Sequence, residues 1–371
     1  MKITDAIQIL EQMSPLAFAE DFDNVGLLVG DSNEEISGIL VCHDALESVI
    51  EEAISKKCNL VVCFHPILFA PIKKITGKNY VEKSIIKAIK NNIAIFAVHT
   101  ALDNDENGVN KIFCDALGLK NTKILIPKQH FIRKLITFTT VENADKLKNS
   151  LFNAGAGKIG NYDNCSFTST GIGTFKGNEN SNPVVGEKFE LIENTEIKIE
   201  VTFEKHLQNE ILKALFSNHI YEEVAYEIYN LENQHQNIGL GMIGELENEM
   251  PEKEFLEFVK IKMQSECIRH SEFLGKKIKK VAVLGGSGST AIKNAISQGA
   301  DVFLTADLKY HDFYQAENKI ILADIGHFES ERYTKNYIYD FLIKKITNFA
   351  NSNLRINVYL SEINTNPVKY L

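Results

Sequence analysis

Residues 38–65 read GILVCHDALESVIEEAISKKCNLVVCFH, and this stretch decides the fold class. Its two apolar runs, 38–42 and 59–64, have the length and composition of buried strands. Between them, apolar residues such as Val49 and Ile50 recur at helical spacing. A strand, a helix and a second strand in this order predict a βα unit with parallel strands.

The same alternation continues towards both ends of the chain. Further strands are predicted at 93–98, 279–286, 301–306, 320–325 and 357–361, with helices between most of them. A long helix is expected over 330–346. The pattern predicts an α/β fold of two packed halves, residues 1–126 and 235–371, that form one unit.

Residues 127–234, between the two halves, differ from them in composition and in strand pattern. Thr, Asn, Gly and Phe are more frequent, and the run KIEVTFE (198–204) alternates as a half-exposed antiparallel strand does. The expected elements follow the order β-α-β-β-α-β, which is the ferredoxin-like order. We therefore expect an inserted ferredoxin-like domain that interrupts the α/β unit.

Composition and charge narrow the class of protein. The chain has 371 residues, 44% hydrophobic and 24% charged, which is typical of a globular protein with more than one domain. The formal net charge of −9 makes nucleic acid an improbable partner. The sequence contains no run of about 18 apolar residues, so a membrane-spanning helix is not predicted. The six cysteines lack paired spacing, which favours a cytoplasmic protein with free thiols.

Three predicted strands lead into side chains that could bind a metal ion. In chain order these are His65, then His99 and Asp103, then His327 and Glu331. Because the carboxyl ends of parallel strands lie at one edge of a sheet, residues distant in sequence should converge there. We therefore predict a divalent metal site made of four side chains, His65, Asp103, His327 and Glu331.

The spacing of these residues supports the site. His327 and Glu331 are four positions apart, so a helix that begins near residue 327 places both on one face. Mixed nitrogen and oxygen donors suit zinc, iron or manganese. Each residue alone has an ordinary alternative: a histidine can be a hydrogen-bonded scaffold residue, Asp103 a helix cap, and Glu331 a charge on a helix surface. Convergence of three strand ends favours the metal site.

Other polar residues near this edge are weaker candidates. The turn GGSGST (285–290) could bind an anion through backbone N–H groups, or could be only a tight turn. His43 and Asp44 could line the pocket, although a helix cap is the favoured role of Asp44. Lys309 and His311 could contact an anionic substrate group or transfer protons, whereas a solvated surface position is the default for Lys309.

Several motifs occur in a fixed order along almost the whole chain. They are DNVGLLVGD (23–31), FHPILF (64–69), HTALD (99–103), GGSGS (285–289), TADLKYHD (305–312) and GHFESE (326–331). Together they resemble the GTP cyclohydrolase 1 type 2 homologue family, also called Nif-three-like. AGAGKIGNYDNCSF (154–167) and HIYEEVAYEIY (219–229) resemble the Cut-A-like insertion of longer bacterial members.

The resemblance implies a site for two metal ions and a ring-shaped homohexamer with its sites facing an inner cavity. By motif, the residues that match the family's metal ligands are His65, Asp103, His327 and Glu331. The family commonly has two adjacent histidines before the proline, whereas this chain has Phe64 and then His65. Phenylalanine cannot bind a metal, so we expect one or two ions per chain, with His99 able to compensate.

The predicted function is metal-dependent hydrolysis of a nucleotide or a related small molecule. A bound divalent ion lowers the pKa of its water and polarises the substrate. His99 would be a ligand or a proton-transfer group, His311 a second catalytic residue, and Lys309 a substrate contact. The alternative is a non-catalytic regulatory or scaffold assembly that binds metal. A catalytic ion keeps an open position, whereas a structural zinc is closed by four protein ligands.

Overall fold

The computed structural model describes residues 1–349 and 356–371 of the chain. Its contacts divide the chain into two compact units. The first unit combines Met1–Ile126 with Asn237–Leu371, and the second is Pro127–Gln236. Both ends of the chain therefore contribute to the first unit, and the second lies between those ends in sequence.

The described residues form a mixed α/β protein with three sheets. The strands in chain order are β1 (Gly26–Val29), β2 (Ile39–Asp44), β3 (Leu60–His65), β4 (Ala94–Ala97), β5 (Lys120–Pro127), β6 (Ile132–Thr140), β7 (Phe167–Lys176), β8 (Leu191–Glu204), β9 (Tyr226–Asn230), β10 (Gly239–Pro251), β11 (Arg269–His270), β12 (Lys277–Ser287), β13 (Val302–Ala306), β14 (Ile321–Asp324) and β15 (Val358–Leu360). The α-helices are α1 (Ile3–Met13), α2 (Glu47–Ser55), α3 (Tyr80–Lys90), α4 (His99–Asp103), α5 (Val109–Ala116), α6 (Ala144–Asn153), α7 (Gln208–Asn218), α8 (Glu252–Lys262), α9 (Ile292–Ser297), α10 (His327–Glu331) and α11 (Thr334–Phe349).

The first sheet has the strand order β1-β4-β3-β2-β15. Its strands are parallel except for β1, which is antiparallel at one edge. Val41 and Val62 belong to an apolar cluster on one face, and Leu40 and Val61 to a cluster on the other. Because both faces are buried, β2 and β3 are continuous apolar runs, and this confirms the two strands predicted from residues 38–65.

The second sheet has the strand order β11-β14-β13-β12-β10-β5. Strands β12, β13 and β14 are parallel and confirm the strands predicted at 279–286, 301–306 and 320–325. Strand β10 pairs antiparallel with β12 and was not predicted. Its run GLGMIGELENEMP is rich in Gly and Glu, so the strand pattern is weak there.

The two sheets of the first unit exchange edge strands. Strand β5, from the first part of the chain, belongs to the second sheet, and β15, near the C-terminus, pairs with β2 of the first sheet. This exchange explains why residues 1–126 and 237–371 group together as one compact unit.

The second unit contains a four-stranded antiparallel sheet with the order β7-β8-β6-β9. Helices α6 and α7 contribute Leu147, Leu151, Ile211 and Leu215 to its apolar core. Along the chain its strands and α-helices follow the order β-α-β-β-α-β.

The helix expected over 330–346 begins later than predicted. Helix α11 starts at Thr334, and Glu331 belongs to the separate five-residue helix α10. Helix α10 begins at His327, so the predicted same-face placement of His327 and Glu331 is found within one short helix.

Two expectations from composition can be compared with the structure. All six cysteines are free, and four of them are buried. Burial raises the pKa of the Cys114 thiol to about 12, so this thiol behaves as an apolar side chain. Within the described ranges, no helix has both the length and the apolar character needed to cross a membrane.

Candidate metal centre

The carboxyl ends of β3 and β14, which belong to different sheets rather than to one sheet as predicted, bring three of the predicted ligands together. His65 is the last residue of β3, and β14 leads into α10, which begins at His327 and ends at Glu331. Ligand atoms of His65, His327 and Glu331 all lie within 4.8 Å of one another. A second set that meets the same limit consists of His43, Asp44 and His65. His65 is common to both sets.

One carboxylate oxygen lies at the centre of the cluster. Oε2 of Glu331 is 3.2 Å from Nε2 of His65 and 3.4 Å from Nε2 of His327. The Glu331 side chain is only 3% exposed, and its Oε2 has no hydrogen-bond partner among the described residues. A buried carboxylate oxygen without a partner is costly, whereas a cation between the oxygen and the imidazoles would satisfy all three groups.

Three histidines at this edge are each held by an aspartate through Nδ1. The Nδ1–Oδ distances are 2.8 Å for His65 and Asp44, 2.8 Å for His99 and Asp23, and 2.7 Å for His327 and Asp307. Metal-binding histidines usually make this contact, because it fixes the ring orientation and leaves Nε2 for the metal. The arrangement fits a metal centre better than a set of unrelated scaffold histidines.

From the sequence, Asp44 was assigned a different role, and Asp23 and Asp307 were not recognised as partners of histidines. The favoured role of Asp44 as a helix cap is wrong, because α2 begins at Glu47 and its N-cap is Leu46. Asp44 instead bonds His65. Asp23 lies in a loop and Asp307 follows a strand end, and neither has a spacing to its histidine that a sequence pattern would reveal.

Asp103 is buried at the end of α4, close enough to interact electrostatically with His65, His327 and Glu331. Burial and the negative charge of Glu331 raise its pKa well above the usual value. Its Oδ1 atom is buried without a hydrogen-bond partner in the part of the chain that the structure describes. Asp103 is not the cap of the following helix, because α5 begins at Val109 with Gly108 as its N-cap. A cation close to Asp103 and Glu331 would satisfy this buried carboxylate.

The charges of the cluster are strongly interdependent. Burial opposes protonation of His65 and His327, but hydrogen bonds to Asp44 and Asp307 and the charge of Glu331 raise their pKa values to about 10 and about 9. Although burial alone would raise the pKa of Glu331, the imidazoles of His327, His43 and His65 hold it below its usual value. The Glu331 carboxylate and the protonated imidazoles thus stabilise each other, and a divalent ion would supply the positive charge in place of those protons.

The glycine-rich turn makes room for the cluster. Gly286 has a φ of +68°, and a Cβ atom there would lie 2.5 Å from Oε1 of Glu331. The backbone N–H of Gly286 donates to Oγ of Ser330, and that of Gly285 donates to Oδ1 of Asn110. These two N–H groups are therefore already bonded and not available to an anion.

His99 lies beside the cluster, and its ring centroid is 5.4 Å from that of His65. Its φ is +30°, an unusual value for a non-glycine residue, at the first position of α4.

Phe64 is completely buried in the apolar cluster on the opposite side of β3 from the Cys63 side chain. Phe64 therefore occupies an inward-facing position at which the family resemblance implies a histidine.

Lys309 and His311 do not join the cluster. Both are exposed at the start of a short 3₁₀ turn, where the His311 ring lies 5.2 Å from Tyr310 and 6.1 Å from Tyr314. Neither residue lines the cavities that border His65. Their proposed roles in substrate binding and proton transfer stay predictions.

Two cavities open onto the cluster. One, of about 610 Å³, borders His65 and extends past Phe69, Lys73 and Lys74 to the start of α3 at Tyr80. The other, of about 410 Å³, borders both His65 and His327 and extends to the C-terminal residues. Cavities of this size accommodate small organic ligands.

These features define a class: a mixed α/β protein with a partly buried histidine and carboxylate cluster, which could hold a metal ion, at the carboxyl ends of strands from two sheets. Residues 1–367 match the family described as Duf34/NIF3 (NGG1p interacting factor 3). The chain belongs to this family.

Full-length relatives agree with this assignment. The chain is 38% identical to the GTP cyclohydrolase 1 type 2 homolog of Bacillus subtilis, over 98% of this chain and 97% of that protein. It is 36% identical to the protein of the same name from Halalkalibacterium halodurans, over the full length of both. The crystal structure of a Bacillus cereus protein related to NIF3 has a TM-score of 0.84 and 36% identity, covering 100% of this chain and 99% of that one. The family inferred from motifs is confirmed.

Proposed function

We propose that this chain binds one or two divalent ions at His65, His327 and Glu331 and hydrolyses a nucleotide or related small molecule there. The observation that carries the proposal is the position of Glu331 Oε2, 3.2 and 3.4 Å from two imidazole Nε2 atoms that aspartates hold in place. Asp103 is the fourth expected ligand. Nitrogen and oxygen donors suit zinc, iron or manganese. When bound, such an ion would acidify a water molecule and polarise the substrate.

His99 is the group that we expect to move a proton or to complete the metal shell. Its Nδ1 is held by Asp23 at 2.8 Å, so its Nε2 is the free nitrogen. The ring lies 5.4 Å from that of His65, so His99 is close to the residues that we propose as metal ligands. A general acid or base needs this combination of fixed orientation and closeness to the reacting atoms.

The larger cavity supports an anionic substrate. Lys73 and Lys74 line it together with His65, and neither lysine has an ion-pair partner in residues 1–349 and 356–371. Phe69 and Tyr80 add aromatic surface, against which a planar ring could pack. We propose that these lysines, in addition to or instead of Lys309, contact the negative group of the substrate.

The experiment is metal analysis of the wild type beside His327→Ala and Glu331→Gln, with His270→Ala as the matched control. His270 is an exposed histidine in β11 and does not border either cavity. Metal content is measured by mass spectrometry after loading with zinc, iron or manganese. The metal-loaded proteins are then tested for hydrolysis of a panel of nucleotides.

We expect about one or two ions per chain in the wild type and in His270→Ala, and loss of metal and hydrolysis in the two site variants. Equal metal content in all four proteins would refute the centre. Metal that depends on the site, without hydrolysis of any panel member, would favour the alternative of a regulatory or scaffold assembly. In that case the coordination shell should be closed by protein ligands.

We also propose that residues 127–234 are an inserted ferredoxin-like domain and that the protein is a homohexamer. The order β7-β8-β6-β9 and the antiparallel pairing support the first proposal, since they match the ferredoxin-like topology. The hexamer and a cytoplasmic location rest on the family resemblance and composition. Light scattering coupled to size-exclusion chromatography measures the oligomeric mass, and a mass other than six chains would refute the hexamer.

A further inference from the structure

The two ring nitrogens of His43 are buried without ordinary hydrogen bonds in the described part of the chain. His43 lies in β2 with only 3% of its surface exposed, and neither ring nitrogen has a hydrogen-bond partner among the described residues. A buried imidazole without a well-formed hydrogen bond loses its bonds to water and does not fully replace them, which is unfavourable. Such a group calls for a partner that the protein atoms do not provide.

The surroundings of His43 are apolar on two sides and polar on one. Its ring centroid lies 5.4 Å from Phe64 and 5.1 Å from Phe328. On the remaining side its Nε2 is 3.5 Å from Oε2 of Glu331, and its ring is 4.7 Å from that of His65. The imidazole therefore faces the same carboxylate oxygen as His65 and His327.

The pairing of β2 with β3 explains how His43 reaches this position. Cys42 is paired with Cys63 and Asp44 with His65, so His43 stands beside Phe64 on the neighbouring parallel strand. Side chains at adjacent positions of parallel strands point to the same face. The same face of β2 and β3 otherwise carries apolar residues such as Val41 and Val62, so a histidine here interrupts the apolar row.

We propose that His43 is a metal ligand through Nε2 and shares an ion with Glu331. It would supply, from the adjacent strand, the imidazole that Phe64 cannot provide at the position next to His65. This inference rests on the proposed metal centre and adds a ligand to it. The competing role is a neutral imidazole that donates a weak hydrogen bond to Glu331 and never contacts the ion.

The test uses His43→Leu, the double variant His43→Leu/Phe64→His, and Phe328→Leu as the matched control. Phe328→Leu alters packing against the same imidazole without removing a nitrogen. Full-length protein is titrated with Co²⁺ and with Zn²⁺ against a competing chelator. The visible spectrum of bound Co²⁺ reports the number and type of its ligands, so hydrolytic activity is not needed as a readout.

For His43→Leu we expect at least about ten-fold weaker metal binding, or loss of one ion per chain, and an altered Co²⁺ spectrum. The double variant returns an imidazole to the same face and should recover much of the affinity, and Phe328→Leu should resemble the wild type. If His43→Leu does not fold, His43→Gln replaces it, since glutamine keeps a polar group but is a poor ligand for these metals.

An unchanged spectrum and affinity in His43→Leu, with metal still lost in His327→Ala, would overturn this inference alone. Metal binding that is unaffected by His327→Ala would overturn the proposed centre and this inference together. Equal losses in His43→Leu and Phe328→Leu would assign the effect to packing and also overturn the role of His43 as a ligand.

Discussion

Nδ1 of His65 lies 2.8 Å from Oδ1 of Asp44, and the two residues are paired across adjacent parallel strands. The second carboxylate oxygen of Asp44 accepts a hydrogen bond from the hydroxyl of Thr365. Asp44 is therefore fixed at both oxygens, and it fixes the His65 ring with Nε2 towards Glu331. Two further histidine–aspartate pairs repeat this contact, so the orientation of the imidazoles is set by a surrounding layer of hydrogen bonds.

Asp44→Asn should weaken metal binding by about 10- to 100-fold, because the neutral amide holds the His65 ring less firmly and makes it less basic. The affinity is measured by chelator competition with zinc. Asp115→Asn, which alters an exposed aspartate in α5, is the control and should leave the affinity unchanged. Equal affinities of Asp44→Asn and the wild type would show that Asp44 does not orient a ligand.

The sequence was sufficient to predict the central strands and to select candidate ligands near their carboxyl ends. Strands β2, β3, β13 and β14 are short, continuous apolar runs, because both of their faces are buried. His65 ends β3 of the first sheet, and His327 follows the end of β14 of the second sheet after two residues, so each lies at the carboxyl end of a strand as predicted. The meeting of carboxyl ends from two different sheets was not predicted, because strand order describes one sheet only. Strand β5 was not predicted, and β15 was predicted but could not be assigned to its sheet, because its pairing depends on contacts between distant parts of the chain.

The aspartates that bond the candidate ligands could not be predicted from the sequence. Asp23 is 76 positions from His99, and Asp307 is 20 positions from His327, so no local spacing connects them. The possible role of His43 as a metal ligand was also not recognised, since a histidine after an apolar run is usually an ordinary strand end. Only the strand register, which puts it beside Phe64, shows that it faces the cluster.

Glu82→Gln should destabilise the loop before α3, which lines one side of the larger cavity. The Glu82 carboxylate accepts hydrogen bonds from the backbone and hydroxyl of Thr76 and from the backbone of Lys78. These bonds lower its pKa from 4.5 to about 2. A lowered pKa means that the stabilisation is complete above about pH 4.5 and is lost as the pH falls towards 2.

Urea denaturation of the wild type and Glu82→Gln at several pH values measures this effect. The difference in unfolding free energy should be constant from pH 7 to about pH 5 and should shrink at lower pH. Glu34→Gln, at an exposed position, is the control. A difference that grows as the pH falls would contradict the assigned direction of the pKa change.

Removal of metal should lower the melting temperature of the protein. An ion that binds only the folded state adds about 2.7 kcal/mol when its free concentration is about 100 times its dissociation constant. Differential scanning calorimetry with zinc and with a chelator measures the change. His327→Ala should melt at the same temperature in both solutions, whereas a zinc effect that persists in this variant would indicate a different binding site.

Thr365→Val should weaken metal binding by about ten-fold or less, while Thr365→Ser should stay close to the wild type. Valine keeps the shape of the buried side chain but removes the hydroxyl that holds Asp44, so Asp44 can rotate away from His65. Ser361→Ala is a matched control, because Ser361 donates a comparable hydrogen bond from the same C-terminal segment to Glu52, which does not border the cluster. Zinc affinity and thermal stability are measured on all three variants. Loss of affinity only in Thr365→Val would show that the last residues of the chain position a metal ligand, whereas equal losses in Ser361→Ala would mean that a general loosening of the segment is responsible.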